Sequence, residues 1–299
     1  MMHYRQLGRS QLLVSSIGFG CMSLGDSLRD NSYLIHRALE QGINFFDTAD
    51  LYDKGLNEEM LGKILSEKRE DVLLATKVGN QWRSDGSGWD WNPRKEYILR
   101  AAEESLRRLG TDHIDLYQLH GGTIEDPIDE TIEAFELLQQ QGKIRYYGIS
   151  SIRPNVIKEW VKRSRMVSVM MQYSLMDRRP EEECLQLLKK MDIGVLARGV
   201  LAKGIIIDKP AVAYLEYSKE EVEKMAAAVR SHSGKNRKNS QTALLFVLRN
   251  SAVSSIITGL RTPEQLEEVV GTMDLLGLSE GEERELRGVL PVNVYGGHR

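Results

Sequence analysis

Short apolar runs alternate with longer amphipathic segments along most of the chain. From about residue 14 onward, eight such runs contain mainly β-branched and other apolar residues. Several are apolar almost throughout, which is typical of parallel strands that are buried on both faces. The predicted strands are residues 14–20, 43–47, 72–77, 114–120, 144–150, 167–172, 194–198 and 254–258.

The longer segments between these runs have the spacing of apolar residues that helices require. Pro93 and Pro263 suit the first turn of a helix, while Gly42, Gly110 and Gly142 each stand just past a predicted helix end. The predicted helices are residues 32–41, 57–66, 93–109, 128–141, 155–163, 181–190, a stretch ending in 241–249, and 263–273.

Eight successive strand–helix pairs predict an α/β fold, a single (β/α)8 TIM barrel. Residues 4–14, with Gly8-Arg9-Ser10 in the middle, are interpreted as an N-terminal β-hairpin that closes the barrel floor. No second domain is evident, so residues 1–299 are interpreted as one domain. Residues 199–238 are the least regular part, and we interpret them as a long mobile loop after the seventh strand.

Composition and charge exclude several classes of partner. The chain has 299 residues, of which 41% are hydrophobic and 28% charged, and its net charge of −3 gives no general attraction to nucleic acid. Two cysteines cannot form a disulfide framework, which favours a reducing compartment. No apolar run approaches the ~20 residues of a membrane span, and the N-terminus lacks a signal peptide. We therefore expect a cytoplasmic protein with no nucleic-acid or membrane partner.

Three predicted strands end on a titratable residue. Asp47, Lys77 and His120 stand at the ends of strands two, three and four, and Tyr52 follows Asp47 by five residues. The C-terminal strand ends of a parallel barrel converge on one mouth, where such enzymes do chemistry. A phenol becomes a usable acid near neutral pH only beside a cation, so we expect Lys77 beside Tyr52 and Asp47 as the counter-ion of Lys77. Each residue alone could be structural, but their coincidence predicts a proton-donating site that needs no metal.

Two glycine motifs fail to complete a nucleotide signature. Residues 18–23 have Ser23 where the dinucleotide fingerprint needs a third Gly or Ala. The pair Gly62-Lys63 continues with Ile64, where a P-loop needs Ser or Thr. The six His and two Cys show no zinc-ligand spacing, so the sequence predicts neither a Rossmann domain, nor an NTPase, nor a metal site.

At this point the chain resembles a known family, the aldo-keto reductases, and in particular the branch that contains the potassium-channel β subunits. The motifs that carry the resemblance are Phe46-Asp47-Thr48-Ala49-Asp50-Leu51-Tyr52, Thr76-Lys77, Asp115-Leu116-Tyr117-Gln118-Leu119-His120, Gly142-Lys143-Ile144-Arg145, Gly148-Ile149-Ser150, Gln172-Tyr173-Ser174-Leu175, Ala197-Arg198, Leu201-Ala202, Gly204, Thr258-Gly259, Arg261-Thr262 and Gln265. The resemblance implies a barrel that binds NADPH without a Rossmann fold, with NADH possible, and that reduces small aldehydes or ketones. A monomer or a weak homo-oligomer is expected.

The resemblance also implies a role for each catalytic candidate. Tyr52 would donate a proton to the carbonyl oxygen, and Lys77 would lower the pKa of Tyr52. Asp47 would pair with Lys77, and His120 would polarise and orient the carbonyl. The positions that match cofactor contacts are Gly20, Cys21, Met22, Asp47, Ser150, Ser151, Gln172, Tyr173, Arg198, Gly199, Leu201, Lys203, Gly204, Gly259, Arg261 and Gln265.

Within the cofactor set, Ser150, Ser151 and Gln172 would hold the nicotinamide carboxamide, and Tyr173 would stack on the ring. Ser151 stands where many members carry Asn, and its hydroxyl reaches less far. Residues 198–204 would clasp the pyrophosphate with backbone amides. Arg261 and Gln265, at the start of the last predicted helix, would bind the 2′-phosphate and the adenine.

The substrate pocket is expected to come from the loops. Its predicted lining is Met22, Tyr52, Trp82, Trp89 and His120. Trp82, Trp89 and Trp91 share one Gly/Ser-rich loop, where their rings could form a wall over the pocket or staple the loop to the barrel. The basic cluster of Lys235, Arg237 and Lys238 is interpreted as a solvated loop.

Three functions remain open at this level. The leading one is NADPH-dependent carbonyl reduction. The second is a nucleotide-binding regulatory subunit with little turnover, as among the potassium-channel β subunits. The third is a barrel enzyme of another reaction class, in which Tyr52 and Lys77 would be incidental.

Overall fold

The computed structural model describes residues 1–234 and 237–299, so Lys235 of the basic cluster lies outside the described residues. Within these residues the strands are β1 Tyr4–Gln6, β2 Leu13–Ser15, β3 Ile17–Gly20, β4 Phe45–Asp47, β5 Leu73–Val78, β6 Asn80–Trp82, β7 Trp89–Trp91, β8 Ile114–Leu119, β9 Ile144–Ser150, β10 Ser168–Gln172, β11 Gly194–Arg198 and β12 Val253–Thr258. The α-helices are α1 Leu28–Glu40, α2 Leu56–Leu65, α3 Lys95–Leu109, α4 Ile128–Gln140, α5 Pro154–Arg163, α6 Cys184–Lys190, α7 Lys219–Ser233, α8 Asn239–Leu248, α9 Pro263–Val270 and α10 Glu280–Gly288.

Eight of the strands close into a barrel in the order β10-β11-β12-β3-β4-β5-β8-β9. Every neighbouring pair in the barrel is parallel. The strands are buried on both faces, as β8 shows with all six of its residues buried, because helices cover the outside while side chains fill the inside. The predicted (β/α)8 barrel is confirmed.

Successive side chains of each strand point alternately into the barrel and out toward the helices. In β8, Leu116 belongs to the cluster inside the barrel, whereas the ring of Tyr117 lies 5.5 Å from that of Phe135 in α4. The alternation therefore sends Gln118 back inside, one step below the mouth. The inner cluster contains Leu7, Leu12, Val14, Phe45, Ala75, Leu116, Val167, Met170, Leu196 and Ile257.

The predicted N-terminal hairpin is confirmed as the antiparallel pair β1–β2. Its turn passes so close to the N-terminal ends of β10 and β11 that a Cβ on Gly8 would lie 2.5 Å from the Val167 oxygen and 2.6 Å from the Gly194 nitrogen. Gly8 also has a φ of +52°, which glycine adopts without strain. Since Leu7 and Leu12 are fully buried here, the hairpin closes the barrel floor.

The interpretation of residues 199–238 as one long loop is wrong. After a short irregular part, the segment contains helix α7, which spans Lys219–Ser233. The helix begins with a capping box, in which the Ser218 hydroxyl accepts from the Glu221 amide and the Glu221 carboxylate accepts from the Ser218 amide. The pattern Ser-x-x-Glu was visible in the sequence and could have located this helix.

Two further elements were not predicted. The loop after β5 contains the antiparallel pair β6–β7, which places the Trp-rich segment on a hairpin. Helix α10 follows the last predicted helix and also starts with a capping box, at Ser279 and Glu282. Among the described helices, none has the length and apolar character needed to cross a membrane.

Candidate active site

The barrel topology brings the ends of all eight parallel strands to one mouth, as predicted from the sequence. Each strand carries a predicted site residue at its end or next to it. In barrel order these residues are Gln172 on β10, Arg198 on β11, Gly259 after β12, Gly20 on β3, Asp47 on β4, Lys77 on β5, His120 after β8 and Ser150 on β9.

Lys77 is the centre of the catalytic cluster. Its ammonium donates to the Asp47 Oδ2 at 2.8 Å, to the Thr48 carbonyl oxygen at 2.7 Å and to the Tyr52 hydroxyl at 3.2 Å. Only 1% of Lys77 and 4% of Asp47 are exposed, so the pair is shielded from solvent. The predicted association of Asp47, Tyr52 and Lys77 therefore exists in the structure.

Burial acts on both members of the ion pair. It lowers the pKa of Lys77, but the charges of Asp47 and Tyr52 outweigh it, and the pKa of Lys77 lies above its usual value. Burial also raises the pKa of Asp47, and Lys77 offsets this only in part. Lys77 thus remains an ammonium ion at neutral pH, held against a carboxylate that burial disfavours.

The backbone around Tyr52 is strained. Asp53 and Lys54 directly follow it with φ values of 48° and 54°, in the left-handed region that costs energy for residues other than glycine. The indole nitrogen of Trp82 donates to the carbonyl oxygen of Leu51 at 3.3 Å, and the Lys54 ammonium lies 5.2 Å from the Trp82 ring centroid. These contacts with β6 hold the turn that presents the phenol.

The pKa of Tyr52 differs from the sequence-based expectation. Burial raises the pKa of the hydroxyl, while the nearby Lys77 ammonium lowers it. The contribution of Lys77 has the predicted sign, but burial is larger, and the net pKa lies above the ordinary value of 10.0. In this arrangement Tyr52 is therefore a neutral phenol that carries its proton at physiological pH.

His120 stands next to Tyr52 and is also neutral. The two rings meet edge to face, with centroids 5.9 Å apart and planes at 84°. Burial and the charges of Lys77 and Arg198 lower the pKa of His120 to about 3. Its Nδ1 has no hydrogen-bond partner among the described residues. A neutral imidazole carries one N–H donor and one acceptor, which suits it to orient a carbonyl oxygen.

The Arg198 side chain lies in the mouth with the catalytic cluster. Its guanidinium donates to the Gln172 Oε1 at 3.3 Å, and its charge contributes to lowering the pKa values of His120, Tyr52 and Asp47. A charge that acts on all three groups must be close to them. The predicted contact of residues 198–204 with a pyrophosphate involves their backbone amides and stays a prediction.

Ser150 and Ser151 are buried at the end of β9, and Gln172 lies at the end of the neighbouring β10. The Ser151 hydroxyl accepts from the Arg153 amide at 3.2 Å. The Gln172 amide donates to the Asp177 Oδ2 at 2.8 Å and to the Tyr214 hydroxyl at 3.0 Å. These residues lie together at the mouth. Both the nitrogen and the oxygen of the Gln172 side-chain amide form hydrogen bonds with protein groups.

Tyr173 points away from the mouth. Its ring is fully buried on the helix side of the barrel, 6.1 Å from the ring of Phe246 in α8, and its hydroxyl donates to Glu181 at 2.8 Å. Because Gln172 faces the mouth, the strand alternation directs the next side chain outward. The predicted stacking of Tyr173 on a nicotinamide ring is therefore at odds with the structure.

The positions around the end of β3 offer backbone rather than side chains. Cys21 is fully buried, and its thiol contacts the carbonyl oxygen of Phe19 at 3.7 Å. A Cβ on Gly259 would lie 2.6 Å from the Ser23 hydroxyl, so this position needs glycine. Met22, by contrast, is 68% exposed and free to contact a ligand.

The loop after β11 presents unsatisfied backbone amides. The amides of Val200 and Leu201 donate to no acceptor in the part of the chain that the structure describes. Gly199, Lys203 and Gly204 all have positive φ values, of 66°, 57° and 88°. Successive amides in such a mixed conformation form a concave anion-binding surface. The loop therefore offers backbone amides to an anion, and its contact with a cofactor stays a prediction.

Arg261 and Gln265 lie at the start of α9, on the surface. The Gln265 side chain accepts from the Arg261 amide at 2.9 Å, and the Thr262 hydroxyl caps the helix by accepting from the Gln265 amide at 3.3 Å. The carboxylate of Glu264 lies in the first turn of the helix and bonds to backbone there. The exposed Arg261 guanidinium beside this turn is the feature that favours an anion.

The tryptophans of the β6–β7 hairpin have different surroundings. Trp91 staples the hairpin, since its indole nitrogen donates to the carboxylate of Asp126 at 3.0 Å. Trp89 is 48% exposed, and Trp82 supports the Tyr52 turn as described. A cavity of about 700 Å³ lies beside Tyr52 and Met22, away from the hairpin. Trp91 thus has the predicted role of a staple, whereas a wall over the substrate pocket stays a prediction.

One residue of the site was missed at the level of sequence. Gln118 lies inside the barrel, and its amide donates to the Asp47 Oδ1 at 3.5 Å. The available signal was an amide in the run 114–119, which is apolar apart from this residue and Asp115; the amide stands two positions before His120 and on the same face. Within the described residues no cluster of His, Cys, Asp and Glu could hold a metal ion.

The chain is similar to known proteins over its whole length. The sequence model of the Aldo/keto reductase family matches residues 16–290. The "Uncharacterized oxidoreductase YqkF" of Bacillus subtilis (strain 168) is 49% identical over 307 residues, which covers all of both chains. The "L-galactose dehydrogenase" of Arabidopsis thaliana is 30% identical over 310 residues, covering 96% of this chain and 93% of the relative.

A solved structure is similarly close. The "aldo-keto reductase AKR11C1 from Bacillus halodurans (holo form)" has a TM-score of 0.94 and 47% identity, with complete coverage of both chains. Members of this family are NAD(P)H-dependent oxidoreductases that act on small carbonyl compounds. On the family match, the relatives and the fold together, the chain belongs to the aldo/keto reductase family.

Proposed function

We propose that the protein reduces small aldehydes or ketones to alcohols with NADPH, and that Tyr52 is the general acid. The observation that carries this proposal is the contact of one buried ammonium, Lys77, with both the Asp47 carboxylate and the Tyr52 hydroxyl. A protonated phenol at the mouth of a barrel, next to a cation, is equipped to give a proton to a developing alkoxide.

The residues at the mouth fit a nicotinamide dinucleotide. The unsatisfied amides of Val200 and Leu201 suit a pyrophosphate. Arg261 at the start of α9 suits the 2′-phosphate of NADPH, which NADH lacks. When bound, the reduced nicotinamide supplies the hydride.

The protein residues then act on the carbonyl oxygen. Tyr52 donates its proton to that oxygen, and Lys77 stabilises the phenolate that remains. Asp47 fixes the Lys77 ammonium, and neutral His120 orients the carbonyl through a hydrogen bond. General acid help of this kind is worth about 10²–10⁴ in rate.

The substrate is proposed to enter beside Met22 and Tyr52. The cavity at this place has a volume of about 700 Å³, and its lining mixes apolar side chains such as Leu24, Leu51 and Met60 with polar and charged ones. Ligand pockets of this kind hold a compact molecule through apolar contacts and a few polar anchors. These features support a small carbonyl compound as the substrate.

The test is a reductase assay with NADPH and nitrobenzaldehyde, followed by the loss of NADPH absorbance. We expect turnover by the parent enzyme and its loss in Tyr52→Phe, while the variant still quenches Trp fluorescence on binding NADPH. Equal rates in both would refute the role of Tyr52. Tight binding without turnover over a panel of carbonyl compounds would favour the regulatory subunit instead.

A further inference from the structure

Gln118 is a buried polar residue that contacts the catalytic ion pair and that the proposed mechanism does not use. It lies in β8 directly opposite Lys77 in the register of β5 and β8. None of its surface is exposed, because it faces the barrel interior below His120. Its position allows contact with the catalytic carboxylate but not with a substrate in the mouth.

The Gln118 side chain is bonded at only one end. Its Nε2 donates to the Asp47 Oδ1 at 3.5 Å, while its Oε1 has no partner among the described residues. A buried carbonyl oxygen without a donor costs free energy, whereas leucine would fill the same space without that cost. Packing alone therefore does not account for an amide at this position.

Asp47 has two oxygens with different surroundings. Its Oδ2 accepts from the Lys77 ammonium at 2.8 Å, and its Oδ1 has Gln118 as its side-chain donor. Without a donor, the second oxygen would be a buried charged atom with no compensation, and the carboxylate could rotate or take up a proton.

We propose that Gln118 is a positioning residue, whose amide holds the Oδ1 of Asp47 so that the carboxylate stays ionised with its Oδ2 on Lys77. The proposal rests on the proposed function, because Lys77 must remain a fixed ammonium ion for Tyr52 to act. Gln118 thus acts on Tyr52 through Asp47 and Lys77 and touches neither substrate nor cofactor.

The groups around Asp47 define what titrates with it. Burial raises the pKa of Asp47, while Lys77, Gln118 and Arg198 lower it. The titratable and charged groups that face it from the surrounding elements are Lys77 on β5, Tyr52 after β4, Arg198 on β11 and Cys21 after β3. Burial keeps the Cys21 thiol neutral, because it raises the pKa of that thiol.

The first test compares Gln118→Leu with the parent and with Tyr117→Phe. Tyr117 is the matched control, because it is the adjacent residue in β8, is fully buried and also has an unpartnered polar atom, but faces α4. Gln118→Leu is expected to lower kcat about fivefold, the scale of one hydrogen bond to a charged group, with KM unchanged. The acidic limb of the kcat profile should move to higher pH in this variant only.

The second test does not depend on activity. Removing the amide raises the folded-state pKa of Asp47 further, and a carboxyl group with a raised folded pKa loses stabilising free energy as pH rises. The Tm of Gln118→Leu should therefore fall relative to that of the parent as pH rises from acidic to neutral. The Tm difference of Tyr117→Phe should not change with pH.

The outcomes separate this proposal from the proposed function. A Tm difference for Gln118→Leu that is constant with pH would show a purely structural amide and overturn the proposal. The proposal would also be overturned if Gln118→Leu lowered kcat by the same factor in the parent and in an Asp47→Asn variant. A pH-dependent Tm difference in an enzyme that reduces no carbonyl compound would uphold the contact with Asp47 while refuting the proposed function.

Discussion

The Trp82 indole nitrogen donates to the carbonyl oxygen of Leu51, the residue directly before Tyr52, at 3.3 Å. This bond ties the β6–β7 hairpin to the strained turn that carries the phenol. One such hydrogen bond contributes only modestly to the free energy of unfolding. The turn, however, includes two non-glycine residues in the left-handed region, Asp53 and Lys54. Such a turn persists only when its surroundings fix it.

Removal of this bond is therefore expected to disturb catalysis more than folding. Trp82→Phe keeps a ring over Lys54 but loses the donor, and we expect kcat to fall about fivefold, the size of one hydrogen bond. Trp91→Phe is the matched control, because it loses the bond to Asp126 on the same hairpin without touching Leu51. Equal loss of kcat in both variants would assign the effect to the hairpin as a whole.

The ion pair of Asp47 and Lys77 predicts a strong effect on stability. Lys77→Met leaves a carboxylate buried without its cation, and breaking a buried pair in this way costs about 3–5 kcal/mol. Urea unfolding of the parent and the variant measures this loss, and the reductase assay should show no turnover. Arg37→Met provides the control, since its pair with Glu40 is largely exposed and should contribute little. A Lys77→Met protein as stable as the parent would contradict the buried ion pair.

His120 predicts an acid-labile contribution to stability. Its folded pKa is lowered to about 3 from an ordinary 6.5, so the unfolded chain binds a proton at this residue in the range where the native protein does not. The stabilisation is complete above 6.5 and is lost as pH falls from 6.5 toward 3. His120→Asn should lose less free energy of unfolding than the parent between neutral and acidic pH. Identical pH dependence would mean that the pKa of His120 is the same in the native and unfolded states.

The same residue leads to a kinetic expectation. Because His120 is neutral well below its ordinary pKa, its titration should be absent from the kcat profile near neutral pH. The alkaline limb should instead follow Tyr52, whose pKa burial raises. Arg198→Met should move this limb to higher pH, since the guanidinium lowers the pKa of Tyr52. An alkaline limb at the same pH in both proteins would show that Arg198 does not lower the pKa of Tyr52.

Arg261 predicts the choice between the two nicotinamide cofactors. We expect Arg261→Ala to weaken the binding of NADPH about tenfold, the scale of a charge-assisted hydrogen bond, and to leave NADH nearly unchanged. Quenching of Trp fluorescence by each nucleotide measures both affinities. Arg284→Ala on the exposed face of α10 is the control for a general change in surface charge. Equal loss of affinity for both nucleotides would show that Arg261 does not bind the 2′-phosphate.

The barrel and the catalytic cluster could be predicted because one rule links them. Apolar runs located the strands, and the convergence of parallel strand ends placed Asp47, Lys77 and His120 together. Helix α7 was missed although its buried residues Val222, Met225, Ala226 and Val229 have helical spacing and Ser218 and Glu221 marked its start. Both periodicity and capping chemistry carried that information.

Side-chain direction was the weaker part of the prediction. Tyr173 follows a residue that faces the mouth, so the alternation along β10 already directed its ring toward α8. The net pKa of Tyr52 could not be obtained from sequence, because burial and the distance to Lys77 oppose each other and both depend on the folded structure. The direction of the net shift in the pKa of Tyr52 therefore follows only from the three-dimensional structure.

The floor hairpin also constrains the order in which the molecule can assemble. The Arg5 guanidinium donates to the carbonyl oxygens of Leu248 and Val253, and β3 completes the ring by pairing with β12. The first barrel strand to be synthesised, β3, can therefore pair with β12 only after almost the whole chain has been made. Nascent chains should stay open along the β3 edge until synthesis is nearly complete, and contacts so distant in sequence make slow folding the expected outcome.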